Sequence, residues 1–375
     1  MRVCIIKNAD AEKNSDFYRI VNSLQEVGYE CIILSRNRKS NSTNIIKKKI
    51  IVNNNIIDVY EISIKSKMGA GLKNILNLTK YMSVVKKWLI LNSELYDVVH
   101  VFDLDSGLPT LQACRKLSKP YVYHIADFYV DSHVGIPKLV KNFIKKLEFS
   151  VINNAEATII CTEQRKEQIE GSNPKELVVI HNTPGIKSVA KIDNNEENLL
   201  KIAYVGILSD YRFIKEIINI VKDDKNMDLT IAGTGQLKDY VEKSDEKYSN
   251  INYLGQILYE DAIEVYKKCD VIVAIYNPEI KNHKYSAPNK FYEAIMLGKA
   301  IIVAEGTGVD ELVKYNSNGL VVKYDINSVR DSLTSLKNNK TLLHQLKINS
   351  LKAIDKYSTD EMSKRLIKIY KNIEI

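Results

Sequence analysis

Ser286-Ala287-Pro288-Asn289-Lys290-Phe291-Tyr292-Glu293 runs straight into Ala294-Ile295-Met296-Leu297-Gly298-Lys299-Ala300-Ile301-Ile302-Val303-Ala304. The pattern predicts a loop broken by Pro288, a short helix, a stop at Gly298 and an apolar strand. Lys290 and Glu293, three residues apart, share one face of that helix. Unpaired N–H groups and the macrodipole at a helix start already favour anions. The grouping suits a nucleotide diphosphate. The N–H groups and Lys290 take phosphate oxygens, and the carboxylate of Glu293 accepts hydrogen bonds from a neutral diol such as ribose.

The rest of the chain has the organisation such a site needs. At 375 residues it is too long for one ordinary core, and 45% apolar with 27% charged residues marks a globular protein. Apolar strand-like runs alternate with helical patterns, the sign of a parallel α/β architecture. They lie near 2–7, 30–35, 97–102, 120–125, 156–161 and 177–181, and again near 201–206, 228–233, 251–254, 270–275, 299–303 and 318–322. The polar stretch from Gly185 to Asn198 reads as a linker. Two Rossmann-like domains facing each other across a cleft are expected: residues 1–187 on the acceptor side and 199–357 on the nucleotide side. Residues 358–375 form a C-terminal helix that packs back on the first domain.

Ligands of open α/β sheets sit beyond the carboxyl ends of the strands. Four loops of the second half qualify. Gly206-Ile207-Leu208 ends a strand and leads to Arg212, Gly233-Thr234-Gly235 ends the next, Gly255-Gln256-Ile257 follows a third, and 277–288 is rich in Lys and His. Each alone is ordinary turn chemistry; together they ring one sheet edge.

Read in order, these signals resemble the retaining GT-B glycosyltransferases of family 4, over nearly the whole chain. There a strand ends in G-R-L-x-x-x-K-G, later strands are followed by G-x-G and G-x-V, and E-x(7)-E precedes an apolar strand and N-G-L-L-V. Here the matching stretches are Gly206 to Phe213, Ala232 to Gly235, Leu254 to Ile257, the Glu293 helix, and Asn318-Gly319-Leu320-Val321-Val322. The chain departs twice. Ile207 replaces the family arginine, leaving Arg212 and Lys290 for the diphosphate, and Tyr285 replaces the first glutamate. The resemblance implies a donor site of Gly206, Arg212, Gly233, Gly235, Gln256, Ile257, Tyr285, Ser286, Pro288, Asn289, Lys290 and Glu293. It also implies sugar transfer with retention, with Arg212, Lys290 and His124 as catalytic groups.

His124 ends Pro120-Tyr121-Val122-Tyr123-His124, which looks like the family's strand whose terminal histidine faces the reacting sugar. A histidine packed under the next loop is the competing reading. Asp127 and Tyr129 in the following loop, and Asp10 after the first strand, are placed on the acceptor side, or cap helices and turns.

Asp103-Leu104-Asp105 follows an apolar strand, as metal-binding D-x-D pairs do, but also reads as a helix cap. No metal and no cofactor is expected, the nucleotide sugar being a substrate. Five dispersed cysteines point to a reducing compartment. The opening Met1 to Lys7 enters a strand without a signal-peptide core, so a cytoplasmic protein is expected. Residues 1–187 hold 27 Lys+Arg against 19 Asp+Glu, while 188–375 hold 27 of each. The excess fits a phosphorylated substrate, anionic lipid, nucleic acid or genome composition alone; no nucleic-acid reader motif occurs. Lys65 to Leu91 and Pro137 to Phe149 mix Lys with apolar residues at helical spacing. They read as core-facing helices with a solvated lysine face, or as contacts to the inner face of an anionic membrane. The expected partners are a nucleotide-diphosphate sugar and a glycan or lipid-linked acceptor in cell-envelope polysaccharide synthesis. A nucleotide-sugar 2-epimerase and a catalytically silent partner subunit are the alternatives.

Overall fold

A computed structural model describes the chain except residues 43–44, 53–54, 67–73, 133–135, 187–198 and 375. The expected linker and the start of the first basic stretch, Lys73 included, thus lie mainly outside the described residues. Two compact units emerge, one of Met1–His181 with Met362–Ile375 and the other of Asn182–Glu361.

The first unit runs β1 (Arg2–Ile6), α1 (Ser15–Gln25), β2 (Glu30–Asn37), β3 (Ile46–Val52), β4 (Asn55–Ser63), α2 (Ile75–Leu91), β5 (Val98–Phe102), α3 (Asp103–Leu117), β6 (Tyr121–Ile125), α4 (Tyr129–Ser132), α5 (Lys138–Asn154), β7 (Ala157–Ile160) and β8 (Leu177–Val179). Its sheet has the order β3-β4-β2-β1-β5-β6-β7-β8, parallel except where β3 pairs antiparallel with β4. Central strands are covered on both faces, which is why β5 and β6 read as apolar runs interrupted only by His100 and His124. Tyr121, Tyr123 and Ile125 face one core, and Val122 faces the other, with Phe17 of α1 and Tyr370 near the C-terminus. Asn14 caps α1 by accepting from the Asp16 N–H at 3.1 Å. Near the C-terminus, Tyr370 donates or accepts a 2.7 Å bond with His100 Nδ1, and Ser363 bonds Ser23 at 2.7 Å.

The second unit runs β9 (Leu200–Val205), α6 (Ile214–Val221), β10 (Met227–Ala232), α7 (Lys238–Lys247), β11 (Ile251–Tyr253), α8 (Tyr259–Lys268), β12 (Val271–Ala274), α9 (Lys281–Lys284), α10 (Asn289–Met296), β13 (Ala300–Ala304), α11 (Asp310–Asn316), β14 (Gly319–Val322), α12 (Ile326–Asn338), α13 (Lys340–Lys352) and α14 (Ile354–Tyr357), and enters α15 (Thr359–Lys371). The sheet is parallel throughout, ordered β11-β10-β9-β12-β13-β14. Strand order reverses between β9 and β12 here, and between β1 and β5 in the first sheet. These switch points are where neighbouring loops part and leave room for a ligand.

The hairpin β3–β4 carries no counterpart among the expected strands. Lys47-Lys48-Lys49 breaks its apolar run, yet the strand survives because only alternate side chains need burial: Ile50 and Val52 turn inward while Ile51 is 70% exposed.

Candidate active site

The second unit's glycine loops lock side by side beyond its strands. Gly206 N–H bonds Ala232 O at 2.9 Å, Leu208 N–H bonds Thr234 O at 3.0 Å, and Gly233 N–H bonds Gly255 O at 2.7 Å. A Cβ on Gly233, whose φ is +134°, would fall 1.8 Å from Gly206 O. Gly233 therefore serves loop packing: no other residue permits the β9 and β10 loops to touch. Tyr253 reinforces the arrangement by donating to Gly233 O at 2.8 Å. This places Gln256 and Ile257 beside the Gly233 turn, with Gln256 exposed.

Helix α10 begins after Pro288 at Asn289, and four of its first residues, Lys290 to Glu293, are buried. The Lys290 ammonium reaches back to the β9 loop. It sits 4.7 Å from the Tyr204 ring centre and 5.9 Å from that of Tyr276, beside the Gly206 backbone. Arg212, in the turn after β9, lays its guanidinium 3.7 Å from the Tyr276 ring centre. Among the described residues neither cation has a hydrogen-bond or ion-pair partner for its head group. Lys290 is only 8% exposed. Burial works against its charge, but Tyr276, Tyr204 and Glu293 outweigh that and hold its pKa up. Two cations without a direct ion pair at a sheet switch point are an arrangement able to seat a polyanion, since leaving a buried cation without a direct partner costs several kcal/mol, on the order of a lost ion pair.

Glu293 is 4% exposed. Burial pushes its pKa up, while Lys290 and a hydrogen bond from Tyr259 hold the carboxylate back. Sequence reading missed Tyr259; it opens α8 directly after the Gly255 loop, which is how that loop is tied to α10. Ser286 and Tyr285 lie in the turn after α9. The Ser286 hydroxyl donates to His283 O at 3.0 Å, and Gly308 packs so closely that a Cβ there would meet Ser286 O at 2.0 Å. Asn182 Nδ2 donates to Ala287 O at 3.2 Å, fixing the segment before Pro288.

The first unit places its candidates differently. His124 stands inside β6, not beyond its end, and is 1% exposed. Its Nδ1 meets His100 Nε2 at 3.2 Å and its ring stacks 4.4 Å from Phe102. The strand's alternation turns position 124 into the core packed against α1 and α15, so this imidazole faces core residues and is not offered to a sugar. Burial, then His100, push its pKa well down. Asp10 caps the short turn Ala11–Lys13, accepting from Glu12 N–H at 3.1 Å, while Asn14 takes the cap of α1. Asp127 is exposed, and its carboxylate lies 3.7 Å from the buried Arg165 guanidinium. Tyr129 N–H donates to Glu148 at 3.2 Å.

Asp103 occupies a left-handed conformation, φ +56°, and its Oδ1 accepts from the N–H groups of Ala126 and Asp127 at 2.9 and 3.0 Å. Asp105 accepts from the Asn8 amide. The D-x-D pair thus ties loops together. No cluster of three or more His, Cys, Asp or Glu able to hold a metal ion occurs among the described residues.

Residues 17–183 match Glycosyltransferase Family 4, and residues 200–339 match Glycosyl transferases group 1. A glycosyltransferase of Methanocaldococcus jannaschii is 28% identical over 200 residues, 52% of this chain but 45% of its own length, so the match spans about half of that relative. Among solved structures, the lipopolysaccharide outer core galactosyltransferase WaaB superposes with a TM-score of 0.70 at 16% identity, covering 99% of both chains. HepE of Anabaena, solved with UDP and glucose, gives 0.69 at 12% identity over the full length of both.

Proposed function

We propose that this chain, a glycosyltransferase of GT-B fold with a glycosyltransferase domain in each half, moves a sugar from a nucleotide-diphosphate donor to a hydroxyl of a lipid-linked glycan, with retention, in cell-envelope polysaccharide synthesis. The observation that carries the donor reading is the pair of cations without a direct ion pair, Arg212 and Lys290, set beside the start of α10. As the glycosidic bond to the donor breaks, negative charge grows on the departing diphosphate. Arg212, Lys290 and the N–H groups of α10 are positioned to stabilise it without reorganising. Glu293, held by Tyr259, accepts the ribose hydroxyls. In this proposal two protein cations do what a divalent ion does elsewhere, so transfer proceeds without metal. HepE, crystallised with UDP, lends a nucleotide of the expected class.

The lipid-linked acceptor is supported by the start of α5. Leu139 and Phe143 are 83% and 62% exposed there, interleaved with Lys138, Lys141, Lys145 and Lys146. Only the far half of the helix, Glu148, Val151 and Ile152, is buried. Exposed apolar side chains ringed by lysines suit an anionic membrane face. No helix among the described residues is long and apolar enough to cross a membrane.

The test is release of UDP, GDP or CDP from a panel of nucleotide sugars, with and without lipid-linked acceptor, with EDTA in a parallel series. Acceptor-dependent release that survives EDTA supports the proposal. Release that needs no acceptor, or none from any donor, removes it.

A further inference from the structure

At the first sheet's switch point, around the carboxyl ends of β4, β2, β1 and β5, four polar side chains converge. Arg36 Nη1 donates to Asn8 Oδ1 at 3.2 Å, Arg38 Nη2 donates to Asn8 O at 2.9 Å, and the Asn8 amide donates to Asp105. Arg36 is 2% exposed, its Nε bound to Ile64 O at 3.2 Å and its plane 5.0 Å from the Tyr81 ring centre. Neither arginine forms an ion pair with a carboxylate among the described residues: Asp105 lies near, but it is Asn8 that binds it.

What sets the cluster apart is its unused donors. Arg36 Nη2, Arg38 Nε and the Ser66 hydroxyl are all buried without a hydrogen-bond partner, and Ser66 adjoins the others through its N–H bond to Arg38 O at 3.0 Å. Buried donors left without acceptors are uncommon, and three at one ligand-binding sheet edge share one remedy, an acceptor-rich group. A neutral hydroxyl satisfies one donor and leaves two adjacent guanidiniums sharing the nearby Asp105 as their one carboxylate. A tetrahedral oxyanion satisfies several donors and both charges, and the planar fork of arginine matches it.

We propose that Arg36, Arg38, Asn8 and Ser66 form a subsite for a phosphoryl group carried by the acceptor. This rests on the glycosyltransferase reading and narrows its acceptor to a phosphate-bearing one. The phosphoryl group belongs either to a phosphorylated sugar or to the diphosphate joining a lipid to its glycan.

The donor site also binds diphosphate, so the test separates the two. Inorganic pyrophosphate is titrated calorimetrically into the full-length protein, Lys290→Met, Arg38→Gln, and the double variant. Arg38 is half-buried, and circular dichroism checks that each variant is folded. The expected result is pyrophosphate binding that survives in Lys290→Met and weakens at least ~10-fold when Arg38→Gln is added. Loss of all pyrophosphate binding in Lys290→Met, or equal binding by the double variant, overturns the proposal. UDP, GDP and CDP titrated into the same proteins are expected to lose binding in Lys290→Met and keep most of it in Arg38→Gln, the reverse of the pyrophosphate pattern, so a failed donor reading shows up separately. A sugar 1-phosphate and a short-chain prenyl diphosphate then compete with pyrophosphate; displacement by either supports the subsite and identifies its source, and displacement by neither removes its role in acceptor binding.

Discussion

The Arg212 guanidinium stacks on Tyr276 at 3.7 Å, bridging the loops that follow β9 and β12, on either side of the second sheet's switch point. The stack fixes a side chain that has no carboxylate to hold it. It is worth roughly 0.5–2 kcal/mol, enough to bias one rotamer strongly.

Tyr276→Phe keeps the ring face and is expected to retain transfer within about threefold, whereas Tyr276→Ala and Arg212→Ala each lose on the order of 100-fold in kcat/KM. Steady-state kinetics with circular dichroism as a folding control decides this. Equal activity in all three variants removes Arg212 from the site.

Lys290→Met removes a buried cation that has no ion pair in the free protein. The fold is expected to lose nothing, with Tm unchanged or higher, because the methionine stem fills the same space without the cost of burying charge. Nucleotide diphosphate binding is expected to fall below detection by calorimetry. A lower Tm with intact nucleotide binding would show that Lys290 serves structure.

Gly233 and Gly255 make a matched pair. Gly233→Ala drives a methyl into Gly206 O and is expected to cost about 2–4 kcal/mol and the donor site with it. A Cβ on Gly255, φ +69°, would meet nothing within 4 Å, so Gly255→Ala costs only the left-handed conformation, about 1 kcal/mol. Urea unfolding midpoints measure both; equal shifts contradict the packing role of Gly233.

Acid stability rests on opposed buried groups in the first unit. Burial pushes His100 down to about 3 and His124 well down, so the unfolded chain takes up their protons below about pH 6.5 while the fold does not. Each histidine therefore loses about 1.4 kcal/mol of stability per pH unit as pH falls below that point. Burial raises Asp103 to about 7 and Glu148 to about 8, so the fold holds protons that the unfolded chain releases above about pH 4. These two add stability as pH falls from 8 towards 4, offsetting the histidines. Glu148→Gln is thus expected to be more acid-sensitive than wild type between pH 6.5 and 5, and His124→Gln less. Identical slopes of unfolding midpoint against pH in all three proteins contradict this balance.

The doubly wound architecture is legible in the sequence because buried parallel strands have a strong signature: Val98 to Phe102 and Ala300 to Ala304 are wholly apolar or nearly so, each followed by a turn signal. The glycine loops at the strand ends are legible too, since glycine there marks a tight turn or a close backbone approach. His124 is not, because letters give a strand's end only to within a residue or two, and one residue decides which face a side chain takes. Arg36 after Cys31-Ile32-Ile33-Leu34-Ser35 and Glu148 beside Val151 and Ile152 are charges on apolar faces, a pattern that could have marked buried polar clusters. Their partners, Asn8 in the loop after β1 and Tyr123 on β6, come from distant parts of the chain, and no local pattern announces such pairings.

The most direct test of the donor site is a crystal structure with the nucleoside diphosphate that the release assay selects. The expected result places diphosphate oxygens within about 3 Å of Lys290 Nζ and the Arg212 guanidinium, with ribose hydroxyls on the Glu293 carboxylate. A diphosphate bound away from these three residues, with Lys290 still resting over Tyr204, would contradict it.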